Sequence, residues 1–338
     1  MWTADKIIYN GIDTYIKAYQ GSTLVWEKTI ITPEDPADDI TLPYVTFRAE
    51  EAGSTLGLKN LCVSHDLEYS TDKSNWNTLD TSSNVTLSNV DDEVYVRGKL
   101  TSEPGSIYDY TKFKMTGKIA AYGNCNAIWD YENLEAPLKE YCGFAMFRGC
   151  SSLTKAPKLP ATTLAYSCYG DMFANCTSLT KAPELPATTM TIGCYSYMFE
   201  GCTSLTKAPK LPATTLDNGC YSEMFKDCTA LVNAPELPAT DLDLDCYDSM
   251  FEGCTSLTKA PKLPATTIYV RSYYKMFAGC TSLQEITCLA TDISRQDCIY
   301  YWVNNVPSGG TFYKAPGIEW PTGTSGIPSG WTVLDYTA

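Results

Sequence analysis

Cysteine is the residue in this chain best able to do chemistry, with 15 in 338 residues. Most of them fall in two columns with a period of 26 residues. One column is Cys150, Cys176, Cys202, Cys228, Cys254 and Cys280. The other is Cys142, Cys168, Cys194, Cys220 and Cys246; it misses at Ser272 and returns at Cys298. A zinc site needs convergent ligands. Cys168 and Cys176, eight apart on a helix, would stand ~12 Å apart along its axis, too far to share one ion. There is no C-x-x-C pair, and His65 is the single histidine. Disulfides between coils stay open on distance alone, because stacked strands ~4.8 Å apart fall inside the Cα window for a bridge. Parallel side-chain directions and an odd count favour two internal ladders of reduced thiols that fill space as small apolar groups. No metal and no cofactor is expected.

Other chemistry finds less support. Asp241, Asp243, Asp245 and Asp248 are the one dense acid cluster, but they lack the glycine turn and ligand spacing of an EF-hand loop. His65 has no serine or cysteine motif near it. Paired carboxylates for glycan cleavage are defined by spatial separation, which a sequence does not reveal. The expectation is therefore not an enzyme. The net charge is −14, largely carried by residues 32–145, with no basic cluster. Such a chain is a poor nucleic-acid binder. No apolar run approaches ~18 residues, so no membrane insertion is expected. The opening Met1–Ile7 has no basic segment followed by an apolar stretch, and no secretory leader is expected there.

The elements that position these groups come from the repeat. It reads M-F-x-x-C-x-x-L-x-x-A-P-x-L-P-A-T-T, then a variable patch, then C-Y. Phe147, Phe173, Phe199, Phe225, Phe251 and Phe277 mark its period. A period of this length signals a leucine-rich-repeat solenoid whose coils bury their apolar sides on one another. Leu153–Leu159 should be extended and line up as a parallel sheet, one strand per coil, cut short by Pro157 and Pro160. Cys168, Met172 and Cys176 read as one stripe of a short helix, too short to stand without packing. The fold class is mainly β with short helices. The solenoid is preceded by an Ig/fibronectin-like β-sandwich and a small N-terminal β-meander.

The expected divisions follow in order. Residues 1–31 form a β docking piece, with strands at Lys6–Tyr9, Thr14–Tyr19 and Thr23–Glu27 and turns at Asn10-Gly11 and Gln20-Gly21. Residues 32–39 are an acidic, proline-bearing linker. Residues 40–118 carry seven short strands of a sandwich, with Trp76 as its core tryptophan. Residues 119–146 cap the solenoid, 147–300 form its coils, and 301–338 form the far cap, with Trp302 in the methionine column.

The string M-F-x-G-C-T-S-L, at Met198–Leu205 and Met250–Leu257, resembles the core of the BspA-like (Treponema-type) leucine-rich repeats of bacterial surface proteins. The closing Gly326–Val333 is similar to the end of Bacteroidales proteins of this group. The strands of residues 40–118 look like the module that precedes the repeats in those relatives. The first segment is similar to that of tail-fibre-like proteins of Bacteroidales phages. Two departures stand out: the 26-residue period is longer than the family's common length, and the A-P-x-L-P insert is proline-rich. The resemblance implies adhesion or recognition and supplies no catalytic residues.

Two faces are candidates for binding. On the strand face, Lys158, Glu184, Lys210, Glu236 and Lys262 alternate in sign, which avoids like-charge stacking. Beside them Lys155, Lys181, Lys207 and Lys259 would suit an acidic or glycan ligand. In the variable patch before each C-Y, Tyr269, Arg271, Tyr273 and Tyr274 are the most interface-like group. The expected partners are a host surface glycan or protein, and a virion or tail component through the N-terminal segment; homo-oligomerisation is left open. The expected location is a virion tail, with an extracellular or cell-surface position as the alternative. A glycan-degrading enzyme ranks third.

Overall fold

The computed structural model describes residues 14–20, 23–30, 35–102, 104 and 108–337. Strands β1 (Thr14–Gln20) and β2 (Thr23–Ile30) pair antiparallel. The expected strand Lys6–Tyr9, the turn at Asn10-Gly11, Gly21 and linker residues 32–34 lie outside the described residues. A 3-10 turn at Pro36–Asp38 follows, with Asp35 accepting the Ala37 N–H as its N-cap.

Eight strands come next: β3 (Val45–Ala49), β4 (Ser54–Asn60), β5 (His65–Ser70), β6 (Asn77–Thr78), β7 (Asn84–Leu87), β8 (Glu93–Leu100), β9 (Lys112–Thr116) and β10 (Ile119–Tyr122). One sheet runs β10-β3-β8-β5-β6 and the other β7-β4-β9. Period-two alternation fixes which residues face inward. Phe113 and Met115 of β9 are buried, while Lys114 and Thr116 are exposed. Phe47 and Phe113 bring the sheets together, with ring centroids 5.3 Å apart. Trp76 departs from expectation. It is half-buried, with the Arg97 guanidinium 3.8 Å above its ring, and the core places are taken by Leu67 and Leu79. A cation over the indole face holds it at the surface.

The repeats begin without a break from these sheets. Strand β11 (Leu153–Lys155), in the first coil, pairs parallel with β10 and so extends the first sheet. The phenylalanine column also starts early. Phe113 stacks on Phe147 at 5.1 Å and 10°, and the column continues through Phe173, Phe199, Phe225, Phe251 and Phe277 at 5.5 to 5.8 Å. A second column of buried tyrosines, Tyr169 to Tyr273, steps at 5.9 to 6.0 Å. The coils are therefore in register. A short helix α1 (Asn126–Trp129) lies at the junction. His65 ties it to β5: Nε2 is 2.7 Å from the Ile128 carbonyl and Nδ1 is 2.7 Å from Thr111 Oγ1. Burial holds the imidazole neutral, with its pKa down to about 4.

The expected helix in each coil is replaced by a ribbon of successive turns. Even-numbered residues bond three back: Cys168, Gly170, Met172, Ala174 and Cys176 donate to the carbonyls of Ala165, Ser167, Tyr169, Asp171 and Phe173. Odd-numbered residues bond sideways: Ser167, Tyr169, Asp171, Phe173 and Asn175 donate to carbonyls of the next coil, from Ile192 to Glu200. Every backbone N–H from Ser167 to Cys176 thus has a partner, as a buried backbone requires. The conformation demands a left-handed residue every fourth position: Ser167, Asp171 and Asn175 have φ of 46°, 57° and 60°, and the same places recur from Tyr141 to Asn305. A period of four keeps Cys168, Met172 and Cys176 on one buried face, as a helix would.

The expected strand per coil forms only near the ends of the stack. Strands β12 (Lys259–Leu263), β13 (Glu285–Cys288), β14 (Thr311–Lys314) and β15 (Thr332–Asp335) make a parallel sheet. Between β11 and β12 the ladder shrinks to single bridges, Lys181 to Lys207, Lys207 to Asn233 and Asn233 to Lys259. Pro183, Pro209 and Pro235 have no N–H to give there. The ladder returns where Ile286-Thr287-Cys288 replaces the A-P-x segment. At the far end Trp302 is buried against Tyr273 and Trp320, and its Nε1 donates to the Gly326 carbonyl at 2.7 Å. Phe312, Ile327 and Trp331 complete that cover.

Two buried alanines test the ribbon. Ala145 has φ of 51°, where a Cβ is strained, and Ala278 does not. Ala145→Gly should raise stability by about 0.5–1 kcal/mol, and Ala278→Gly should lower it by a similar amount. Urea unfolding of both variants reads the two signs. A helical segment would be destabilised by either change.

Candidate functional site

One periodic column shapes the ribbon face. It runs Phe144, Gly170, Ser196, Ser222, Asp248, Tyr274, Tyr300. Its members are aromatic at the ends and small in the middle. The dip leaves a groove of ≈ 580 Å³ that crosses successive coils from Phe144 and Tyr166 to Arg271. Gly170 keeps its head open: a Cβ there would lie 3.1 Å from the Phe144 ring, which would have to shift by a few tenths of an ångström. The walls come from left-handed ribbon positions, among them Asp171, Tyr197, Glu223, Asp245 and Arg271, and from Tyr166, Ile192 and Asn218 of the variable patch.

Carboxylates dominate the walls. Arg271 Nη2 is 2.5 Å from Asp248 Oδ2, and its Nε lies 2.9 Å from Asp245 Oδ1, off the line of a good hydrogen bond. The guanidinium sits 4.3 Å above the Tyr274 ring. Burial pushes the Asp248 carboxyl up, against the lowering effect of Arg271 and the Ser249 hydroxyl. Asp171 is likewise raised by burial, with Arg148 3.0 Å away opposing it. Glu200 is raised by burial and by the repulsion of Glu223. Lys226 lies between Glu223, at 2.7 Å, and Glu252, at 3.6 Å.

The expected binding residues separate into two places. Arg271 lines the groove, Tyr274 stacks on Tyr300 at 5.5 Å beside it, and Tyr269 is 39% exposed nearby in sequence. Tyr273 does not join them. It is 1% exposed because it occupies the buried tyrosine column, and it is removed from the candidate surface. The lysines lie on the strand segment instead. Lys155 is bound to Asp38 at 2.6 Å over the Tyr122 ring, and Lys259 to Glu285 at 2.7 Å. Lys181 and Lys207 are exposed neighbours. Asp241 is exposed, Asp243 caps the Leu244 N–H at 2.7 Å, and Asp245 and Asp248 share Arg271. No group of three metal-ligating side chains occurs among the described residues. The column from Phe144 to Tyr300 was overlooked in the sequence; its large-small-large profile was the available signal.

The thiols are held out of reach. All the cysteines are buried and none is bridged. One column has a role beyond filling space. Cys176, Cys202, Cys228, Cys254 and Cys280 each donate to the phenylalanine carbonyl of the preceding coil at 3.0 to 3.1 Å. Cys150 does the same toward Phe113 at 3.4 Å. Burial pushes Cys142, Cys202, Cys246 and Cys280 to about 12.

In-register coils with a groove across one face define a repeat protein. The pattern for the BspA type leucine rich repeat region matches residues 124–234 and 220–304, in six copies, which together exceed half of the chain. The chain belongs to the BspA-type leucine-rich-repeat family, and that membership suggests a surface or adhesion-type protein. No curated protein and no solved structure matches the chain.

Two measurements probe these groups. Neutral thiols are favoured in the folded chain, so their contribution is complete below pH ~9 and falls as pH rises toward 12. Each loses about 1.4 kcal/mol per pH unit in that window. Against a total stability of about 5–15 kcal/mol, several such thiols should unfold the chain cooperatively near pH 10–11, as read by circular dichroism. A fold intact at pH 12 would contradict this. Separately, Arg271→Ala leaves Asp248 buried without its partner and should cost about 1–3 kcal/mol. Adding Asp248→Asn should restore most of that loss in thermal melts.

Proposed function

We propose that this protein is a non-enzymatic recognition and adhesion protein that grips a bacterial surface through the ribbon face of its repeats. The observation that carries the reading is the groove. It crosses many coils, and it is lined by residues that differ between otherwise near-identical repeats. A scaffold of equal coils with one variable row suits an extended partner bound by many small contacts. Family membership supports an adhesive role.

In this reading the two sheets of residues 45–122 are an Ig/fibronectin-like spacer. The N-terminal strands attach the chain to a phage or prophage tail, as the likeness of residues 1–31 to tail-fibre-like proteins suggests. The repeats reach a host-surface glycan or protein. A second reading places the same repeats on a bacterial cell surface. The similarity of Gly326–Val333 to the end of Bacteroidales surface proteins favours that alternative.

Labelled full chain should bind intact Bacteroidales cells saturably and be displaced by unlabelled chain. Absence of saturable binding across a panel of such cells, or release of sugars or peptides from them on incubation, would overturn the reading. Antibody labelling of phage particles against that of cells separates the two locations.

A further inference from the structure

We infer that the groove takes an uncharged, unbranched polysaccharide laid across the coils, running from the aromatic cluster at its head toward a second one just past its foot. This deepens the recognition role proposed above and rests on it. The floor and walls carry the first part of the argument. Ser196, Ser222 and Asn218 offer donors and acceptors, and Asp171, Glu223 and Asp245 offer acceptors only, all in one groove. Sugar hydroxyls both donate and accept, so they can satisfy such a row. Equivalent rings of the buried tyrosine column recur every 5.9 to 6.0 Å from coil to coil, so the groove repeats its polar groups at a regular interval, as a polymer of equal units would require.

The ends carry the second part. At the head, Tyr141 packs on Tyr166 at 5.2 Å and on Phe144 at 6.1 Å. Just past the foot, where the lining ends at Arg271 over the Tyr274 ring, Tyr274 stacks on Tyr300 at 5.5 Å, and Tyr300 meets Tyr301 at 4.2 Å. Tyr166, Tyr300 and Tyr301 are 38 to 40% exposed, so ring surface is available on both clusters. Such rings offer an apolar face with a polar tip, and the C–H face of a pyranose can lie on them. Tyrosine has few torsions, so little is lost when it is immobilised.

Magnitude and charge weigh against a folded protein and against an anionic glycan. The ≈ 580 Å³ groove is sized for a few sugar rings. A folded protein partner needs roughly 1,200 Å² or more of buried surface with an apolar centre, and the middle of this groove is mostly polar, with Ile192 and Tyr197 among Ser196, Asn218, Ser222 and Glu223. An anionic glycan would face Asp171, Glu223, Asp245 and Asp248 with Arg271 already committed to two of them. The exposed Lys181 and Lys207, which would suit an anion, lie on the strand segment outside the groove.

The test uses the full chain on an immobilised panel of hexasaccharides: uncharged glucans, galactans, mannans and N-acetylglucosamine oligomers, with hyaluronan and chitosan oligomers as charged controls. At least one uncharged hexasaccharide should bind. Tyr301→Ala should weaken it at least tenfold, and Ser222→Trp, which fills the floor, should abolish it. The double variant Lys181→Ala/Lys207→Ala should bind as the unaltered chain does. Melting curves show that each variant folds, and Tyr301→Ala stands as the exposed-site variant should Ser222→Trp not fold. Binding of none of the uncharged oligomers, binding of hyaluronan or chitosan alone, or uncharged binding unchanged in both groove variants overturns the inference. Saturable cell binding that persists in Ser222→Trp would defeat this groove assignment while leaving the adhesive role standing. Loss of all cell binding by the unaltered chain would defeat that role itself.

Discussion

The sideways hydrogen bonds of the turn ribbon are the constraint from which the rest of the stack follows. An isolated ribbon would leave every second N–H without a partner, at a cost of about 1–3 kcal/mol for each one buried. Only a neighbouring coil at the correct height can supply the missing carbonyls. That requirement fixes the register and places Phe147 over Phe173 and Tyr169 over Tyr195. It also sets the Cys176 thiol within reach of the Phe147 carbonyl. The left-handed residues are the cost of the arrangement, about 1–2 kcal/mol wherever a Cβ is present. Glycine at positions such as 193, 201 and 253 reduces it.

Much of this was legible because the period is strict. The phenylalanine beat required a common axis, and the alternation in residues 40–118 required paired strands. The ribbon was not legible, because an apolar stripe every four residues is nearly the same pattern for a helix and for a string of turns. What separates them is the residue before each cysteine or methionine of the stripe. Glycine, asparagine or aspartate at Asn175, Gly193, Gly201 and Asp227 marks left-handed positions, which a helix interior would not tolerate repeatedly. The loss of strands in the middle coils was foreseeable from the prolines, whose effect was underestimated.

The binding surface was legible in a different measure. Variation before each C-Y pointed to the face that carries the groove; Arg271 lines it and Tyr274 lies beneath the Arg271 guanidinium. Tyr273 reads locally as part of an aromatic run, whereas its position in the period assigns it to the buried column. The groove itself comes from a quantity that no single repeat contains, the change in side-chain size along one column from Phe144 to Tyr300. The lysine column attracted attention because charge is conspicuous in sequence, yet its terminal members are already paired with Asp38 and Glu285.

The sheet shared by β10, β3 and β11 has a mechanical consequence. A load applied to the repeats would pass into the preceding sheets through backbone ladders and the Phe113–Phe147 stack. That junction should therefore transmit force without bending. Compliance under tension would then have to come from outside it, and several copies pulling together would share force according to how their far ends are anchored.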